Sequence, residues 1–161
     1  MDNLLDKLEE YAEVNAHGAI DWESDVIVLI NHSDGAGDHI HIWAAPWPQP
    51  SDAELDALDA AAVVRKTKKA GIRLTWLIVR ENIATQASVP LAKVTREMVS
   101  EKYEEWSADM TDPDLTQGQR DTATTRVNWL NTQNQKRRAV NKKIMNGTYT
   151  TESDVRNATE W

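Results

Sequence analysis

The chain has 161 residues, 27% of them charged and 40% hydrophobic, with 18 Lys and Arg against 26 Asp and Glu for a formal net charge of −8. That length suits one domain, or one domain and a helical arm, with a modest core. No cysteine is present, so disulfide stapling, thiolate nucleophiles and Cys-ligated zinc are excluded.

Charge is unevenly spread. Residues 1–62 carry 14 acids and one base, Lys7, whereas residues 63–161 carry 17 bases and 12 acids. Opposite-signed halves suit head-to-tail docking between copies or the bridging of two unlike partners. Phe is absent and Trp occurs seven times. Trp serves cores and interfaces alike, so one or two are expected at contacts.

The first expected element is a helix over residues 3–14, capped by Asn3, with Leu4, Leu5, Leu8, Tyr11 and Ala12 on its apolar face. Its acidic, amphipathic start does not read as a signal peptide. No apolar run reaches membrane-spanning length. A cytoplasmic or virion location is therefore expected.

A hairpin follows. Asp25–Asn31 is β-branched, Ser33–Asp38 is turn chemistry, and His39–Trp43 is the return strand. Strict alternation would place Ile40 and Ile42 on one face and His39, His41 and Trp43 on the other. Pro46, Pro48 and Pro50 stiffen the connector to a helix over 52–70. Ser51 and Glu54 form its capping box, and Gly71 is its stop after Lys66, Lys68 and Lys69. Residues 72–80 alternate as a third strand, with Ile72, Leu74, Trp76 and Ile78 on one face.

The rest reads as helical. Leu91, Val94, Met98, Tyr103, Trp106 and Met110 make a core stripe, and Asp112-Pro113-Asp114 breaks the chain. A polar helix runs from Thr116 to Met145 with a thin stripe of Ala123, Val127, Leu130 and Ile144, interrupted by Asn134 and Asn141. A helix this polar is either exposed or supported by a partner. A last short helix starts near Thr150–Asp154 and leads to Trp161. The fold class expected is α+β: a small three-stranded sheet, a β-hairpin plus one strand, with a packed helix, followed by a helical C-terminal arm. The divisions expected are a small α+β domain over 1–86 and a helical region over 87–161.

Three of four histidines, His32, His39 and His41, fall within ten residues, with Asp34 and Asp38 between them. His39 and His41 lie two apart on a strand, so both imidazoles can reach one zinc ion, with His32 or a carboxylate completing the site. The bland alternative is the polar face of a half-exposed strand. The order His39-Ile-His41, Pro48-Gln-Pro50-Ser51, helix, Gly71-Ile72 and apolar strand resembles the core of JAMM-type zinc hydrolases over residues 39–80. The resemblance implies His39 and His41 as zinc ligands, Glu54 as a third and Glu23 as general base for a zinc-bound water. Nine residues separate His41 from Ser51 where the family has seven, Glu54 stands where it has Asp, and Ile42 where it has Pro.

Lys136, Arg137, Arg138, Lys142 and Lys143 cluster near the end of the long helix, a composition that suits phosphate binding. At about 100° per residue they spread around the helix, with Arg137 on its apolar side. The leading expectation is a non-enzymatic structural or assembly protein, with protein as the partner, either a homo-oligomer or a larger complex such as a viral or phage particle. Trp129, Lys136, Arg137, Arg138, Lys142, Lys143 and Trp161 are the candidate partner-binding residues, and no cofactor is expected. The alternatives are a zinc-binding hydrolase-like protein and a nucleic-acid binder working through the basic helix.

Overall fold

The computed structural model describes residues 3–22, 27–31 and 38–161. In chain order the elements are α1 (Leu4–Val14), β1 (Ile27–Asn31), β2 (Asp38–Trp43), α2 (Asp52–Asp56), α3 (Asp59–Ala87), a 3-10 turn (Leu91–Lys93), α4 (Arg96–Asp109), α5 (Gln117–Met145) and α6 (Glu152–Arg156). The mixed class stands, but among the described residues the sheet has two antiparallel strands, not three. Among the described residues no helix is long and apolar enough to cross a membrane. The chain divides into two compact units, Met1–Lys69 and Ala70–Trp161, the boundary falling within α3.

In the first unit, α1 buries Leu4, Leu8 and Ala12, spaced by four. Asn3 does not cap it. Its backbone is left-handed (φ 62°) and its side chain makes no capping bond; Oδ1 instead accepts from Lys66 Nζ at 2.6 Å. Leu4 and Leu8 join Ile27 and Leu55 in a core to which Ile20, Trp22, Leu29, Ile40, Trp43, Ala45 and Trp47 contribute.

The hairpin departs from strict alternation for one reason. Val28 pairs with Ile42 and Leu29 with Ile40, so His41 is an extra residue, a β-bulge. Past the bulge the faces exchange. Trp43 joins Ile40 against the core, while Ile42 is 43% exposed. The Ser33–Gly37 turn, His32 and Glu23 lie outside the described residues.

Ser51 and Glu54 form the expected capping box, but α2 is short. The segment expected as a single helix over 52–70 is α2 followed by the start of α3, and α3 does not stop at Gly71. Residues 72–80 are therefore helical, and no third strand forms. Their apparent alternation is a coincidence of composition: the buried positions are Thr75, Ile78, Val79 and Ile83, spaced by three, one and four as on a helix face. Gly71 serves close packing instead of termination. A Cβ there would lie 3.2 Å from Ile144 Cδ1 and 3.3 Å from Ile144 Cγ2, so the missing side chain lets α5 approach α3.

The second unit has two buried clusters. One gathers Ile78, Val140, Ile144, Val155 and Ala158, with Leu74, Tyr149 and Trp161 against it. The other gathers Val79, Ile83, Val94 and Leu130, with Trp76, Met98, Trp106 and Trp129 among the half-buried residues around it. Of the expected 91–110 stripe, Val94 is fully buried, whereas Tyr103 faces solvent. Thr95 caps α4, and capping boxes start α5 (Thr116, Gln119) and α6 (Thr151, Asp154). Asn141 does not interrupt the α5 packing face. Its side-chain amide oxygen lies 2.8 Å from the Thr75 hydroxyl. About two turns further along α3, Asn82 Nδ2 donates to Gln133 Oε1 of α5 at 3.0 Å.

Candidate functional site

The electrical split seen along the chain is largely neutralised locally. The acidic face of α1 meets the first turns of α3. Arg65 pairs with Glu10 at 2.7 Å and also with Glu13. Lys69 pairs with Asp6 at 3.0 Å and with Glu9. Burial opposes the charge on Arg65 and Lys69, but these carboxylates outweigh it and raise both pKa values. Because α3 continues, these cations face α1 instead of a helix C-terminus. By compact unit, residues 1–69 carry 14 acids and 5 bases, and residues 70–161 carry 12 acids and 13 bases.

What remains on the first unit is a short acidic row. Asp52 is exposed. Asp56 and Asp59 keep 63% and 64% of their side-chain surface in solvent while sharing one cation, Lys7, at 3.2 and 2.5 Å. Lys7 itself is buried. Desolvation disfavours its charge, yet the bonds to Asp59 and Asp56 leave its pKa raised. An open cavity of about 570 Å³ lies beside α1, lined by Glu9, Glu13, Ile20, Trp22 and Arg65 among others. Its two glutamates are already engaged by Arg65.

His39 and His41 are exposed on β2. Among the described residues no three His, Asp or Glu side chains converge into a group that could hold a metal ion. Glu54, the third ligand implied by the JAMM resemblance, is bound to Ser51: its carboxylate accepts from the Ser51 backbone and hydroxyl at 2.8 and 2.7 Å. Those bonds, the backbone one first, hold its pKa low. The strand that the resemblance places after Gly71 is helix α3.

The basic residues of α5 separate into two groups. Lys136 donates to the backbone carbonyl of Trp161. Lys143 pairs with Glu160, which also accepts from Tyr149 Oη at 2.8 Å. The Trp161 indole donates to the Val155 carbonyl at 2.7 Å. These residues fasten α6 and the residues after it to α5, so the support that so polar a helix requires comes partly from its own chain. Trp129 is half-buried beside Leu130 in the second cluster.

Arg137, Arg138 and Lys142 are placed differently. Arg137 is half-buried, with its guanidinium carbon 5.6 Å from the centre of the Trp76 ring. Arg96, the first residue of α4, lies 5.7 Å from the same ring. Burial first, then Arg96 and Arg138, push the Arg137 pKa down, which marks three cations close enough to repel. Arg137 Nε is buried without a hydrogen-bond partner. Among the described residues no carboxylate forms a salt bridge with Arg96, Arg137 or Arg138. Arg138 also closes one end of an open groove of about 430 Å³ along α5, lined by Asn128, Asn131, Thr132, Asn134 and Gln135.

Sequence reasoning found Arg137 and Arg138 but missed Arg96 and Trp76. Arg96 lies off the apolar stripe read over 91–110, and the alternation of 72–80 assigns Trp76 to a strand. The helical reading of 72–80 is the signal that would have turned Trp76 toward α5. No protein-family model, curated protein or solved structure matches this chain.

Proposed function

We propose that this chain is a non-enzymatic assembly protein that docks onto copies of itself or into a larger complex, such as a viral or phage particle. One observation carries the reading. The 29-residue helix α5 buries only a narrow stripe, and its groove of amide side chains ends at Arg138, which forms no salt bridge among the described residues. Asn and Gln adapt to many hydrogen-bond partners, while Arg and Trp are over-represented where protein surfaces bind tightly. Sedimentation velocity over a broad concentration range tests this. Association, or recovery in a defined complex, supports it; a monomer at every concentration with no partner opposes it.

Arg96, Arg137 and Arg138 also favour a second reading, binding of nucleic-acid phosphates. The helix bearing Arg96 carries Glu97, Glu101, Glu104 and Glu105 as well, which repel a polyanion passing along it. That reading requires RNA or DNA binding that falls steeply with salt.

A further inference from the structure

We infer that Arg96 and Arg137 at Trp76, with Arg138 beside Arg137, form a receptor for the acidic row Asp52, Asp56 and Asp59 of a second copy of this chain. The inference rests on the assembly reading and gives it a geometry. A guanidinium half withdrawn from water, with a buried Nε lacking a partner and two like charges beside it, is a costly arrangement to leave uncompensated. A carboxylate meeting it would supply the missing counter-charge through paired N–H···O bonds, the contact for which guanidinium is shaped.

The chain carries a matching surface. Asp56 and Asp59 expose most of their side chains and share Lys7 alone. Asp52, one turn before Asp56, has no salt bridge among the described residues. Three carboxylates against one lysine leave that row negative; three guanidiniums that form no salt bridge among the described residues, with Glu97 beside Arg96, leave the other site positive. The charges differ in sign, and Trp76 and the arginines are the residue types that dominate protein contacts. Because the two surfaces are different patches of one chain, the contact pairs unlike surfaces. It either repeats from copy to copy, as a ring or a filament, or is made twice, reciprocally, in a two-fold dimer.

The test uses the full chain and two charge reversals at exposed positions, Arg138→Glu and Asp52→Arg. Each is expected to weaken association by roughly 10- to 100-fold, so that each variant alone sediments as a monomer where the unaltered chain associates. Each variant keeps one sound surface. An equimolar mixture should therefore associate again, because the sound surface of one variant meets the sound surface of the other. Misfolding cannot produce that complementation, and Arg96→Glu, also exposed, should behave as Arg138→Glu does. Monomers that fail to associate on mixing would overturn the inference. So would an assembly indifferent to the substitutions, which would leave the wider assembly reading standing. An unaltered chain that stays monomeric would overturn both the inference and docking between copies.

Discussion

Asn141 of α5 holds its side-chain amide oxygen 2.8 Å from the hydroxyl of Thr75 on α3, and Thr75 is completely shielded from solvent. The same hydroxyl lies 2.8 Å from the Ile72 carbonyl. A polar pair in this position specifies which turn of α3 meets which turn of α5, since sliding either helix strands both groups. Thr75→Val should cost about 1–3 kcal/mol in chemical denaturation, because it leaves the Asn141 amide facing apolar surface. The double variant Thr75→Val/Asn141→Leu should recover much of that loss, because both partners are then apolar. Equal loss in the double and single variants would show that the pair is not coupled.

Gly71→Ala sets two effects against each other. Alanine gains about 1 kcal/mol of helix propensity, but its Cβ would sit 3.2 Å from Ile144 Cδ1. Ile144 is itself buried and has little room to retreat, so overpacking of about 1–3 kcal/mol should win. A melting temperature that falls for Gly71→Ala, and is partly restored by adding Ile144→Val, is the expected result.

Most of the fold was legible where two local signals agreed. Ser51 with Glu54, Thr116 with the polar helix behind it, and the spacing of Ala123, Val127 and Leu130 all appear as read. The third strand failed because a short apolar run fits both periods, and only the partner surface decides between them. Gly71 misled for a related reason: glycine marks a helix stop and a close approach equally well, and the side chain that chooses between them, Ile144, is 73 positions away in sequence. At the candidate site the local basic cluster could be read, but not its division. Whether Lys143 meets Glu160, or Arg137 meets Trp76, depends on which helices pack together.

Lys7 lies under Asp56 and Asp59, so its replacement should be size-dependent. Lys7→Ala loses the buried stem and both ion pairs and should cost about 1–2 kcal/mol. Lys7→Met keeps the packing and should lose roughly half as much. Its raised pKa fixes the sign of the pH effect. The stabilisation is full below the unfolded value of about 10.4 and is lost as pH rises through the folded value. Thermal melts should therefore fall less steeply above that pH in Lys7→Met.

Glu160 titrates in the opposite sense. Lys143 first, then Tyr149, hold its pKa below the ordinary carboxylate range. Its contribution is present above the unfolded value of about 4.3 and disappears as pH falls through the folded one. Glu160→Gln should flatten this acid limb. Hydrogen exchange at residues 152–161 reads it directly: the unaltered chain should lose protection on acidification, while the variant is already less protected at neutral pH.

His39 and His41 bear a separate prediction. Protein purified without chelator should show no stoichiometric zinc in native mass spectrometry, and His39→Ala should leave its metal content unchanged. One equivalent of zinc, lost in that variant, would restore the hydrolase-like alternative.

The extra residue in β2 behaves as a phase switch. Upstream of His41, even-numbered side chains of the strand turn inward; downstream, odd-numbered ones do, as Ile40 and Trp43 show. That inversion lets the Trp43 indole donate to the Trp47 carbonyl at 2.8 Å, with the Trp47 ring set edge-on to Trp43 and stacked on His17. Sequence drift at this hairpin is thus constrained by parity. Removing residue 41 would restore plain alternation with Ile40 and Trp43 still inward, whereas flattening the bulge with every residue kept would exchange Ile42 for Trp43 in the core and undock the whole aromatic string behind it.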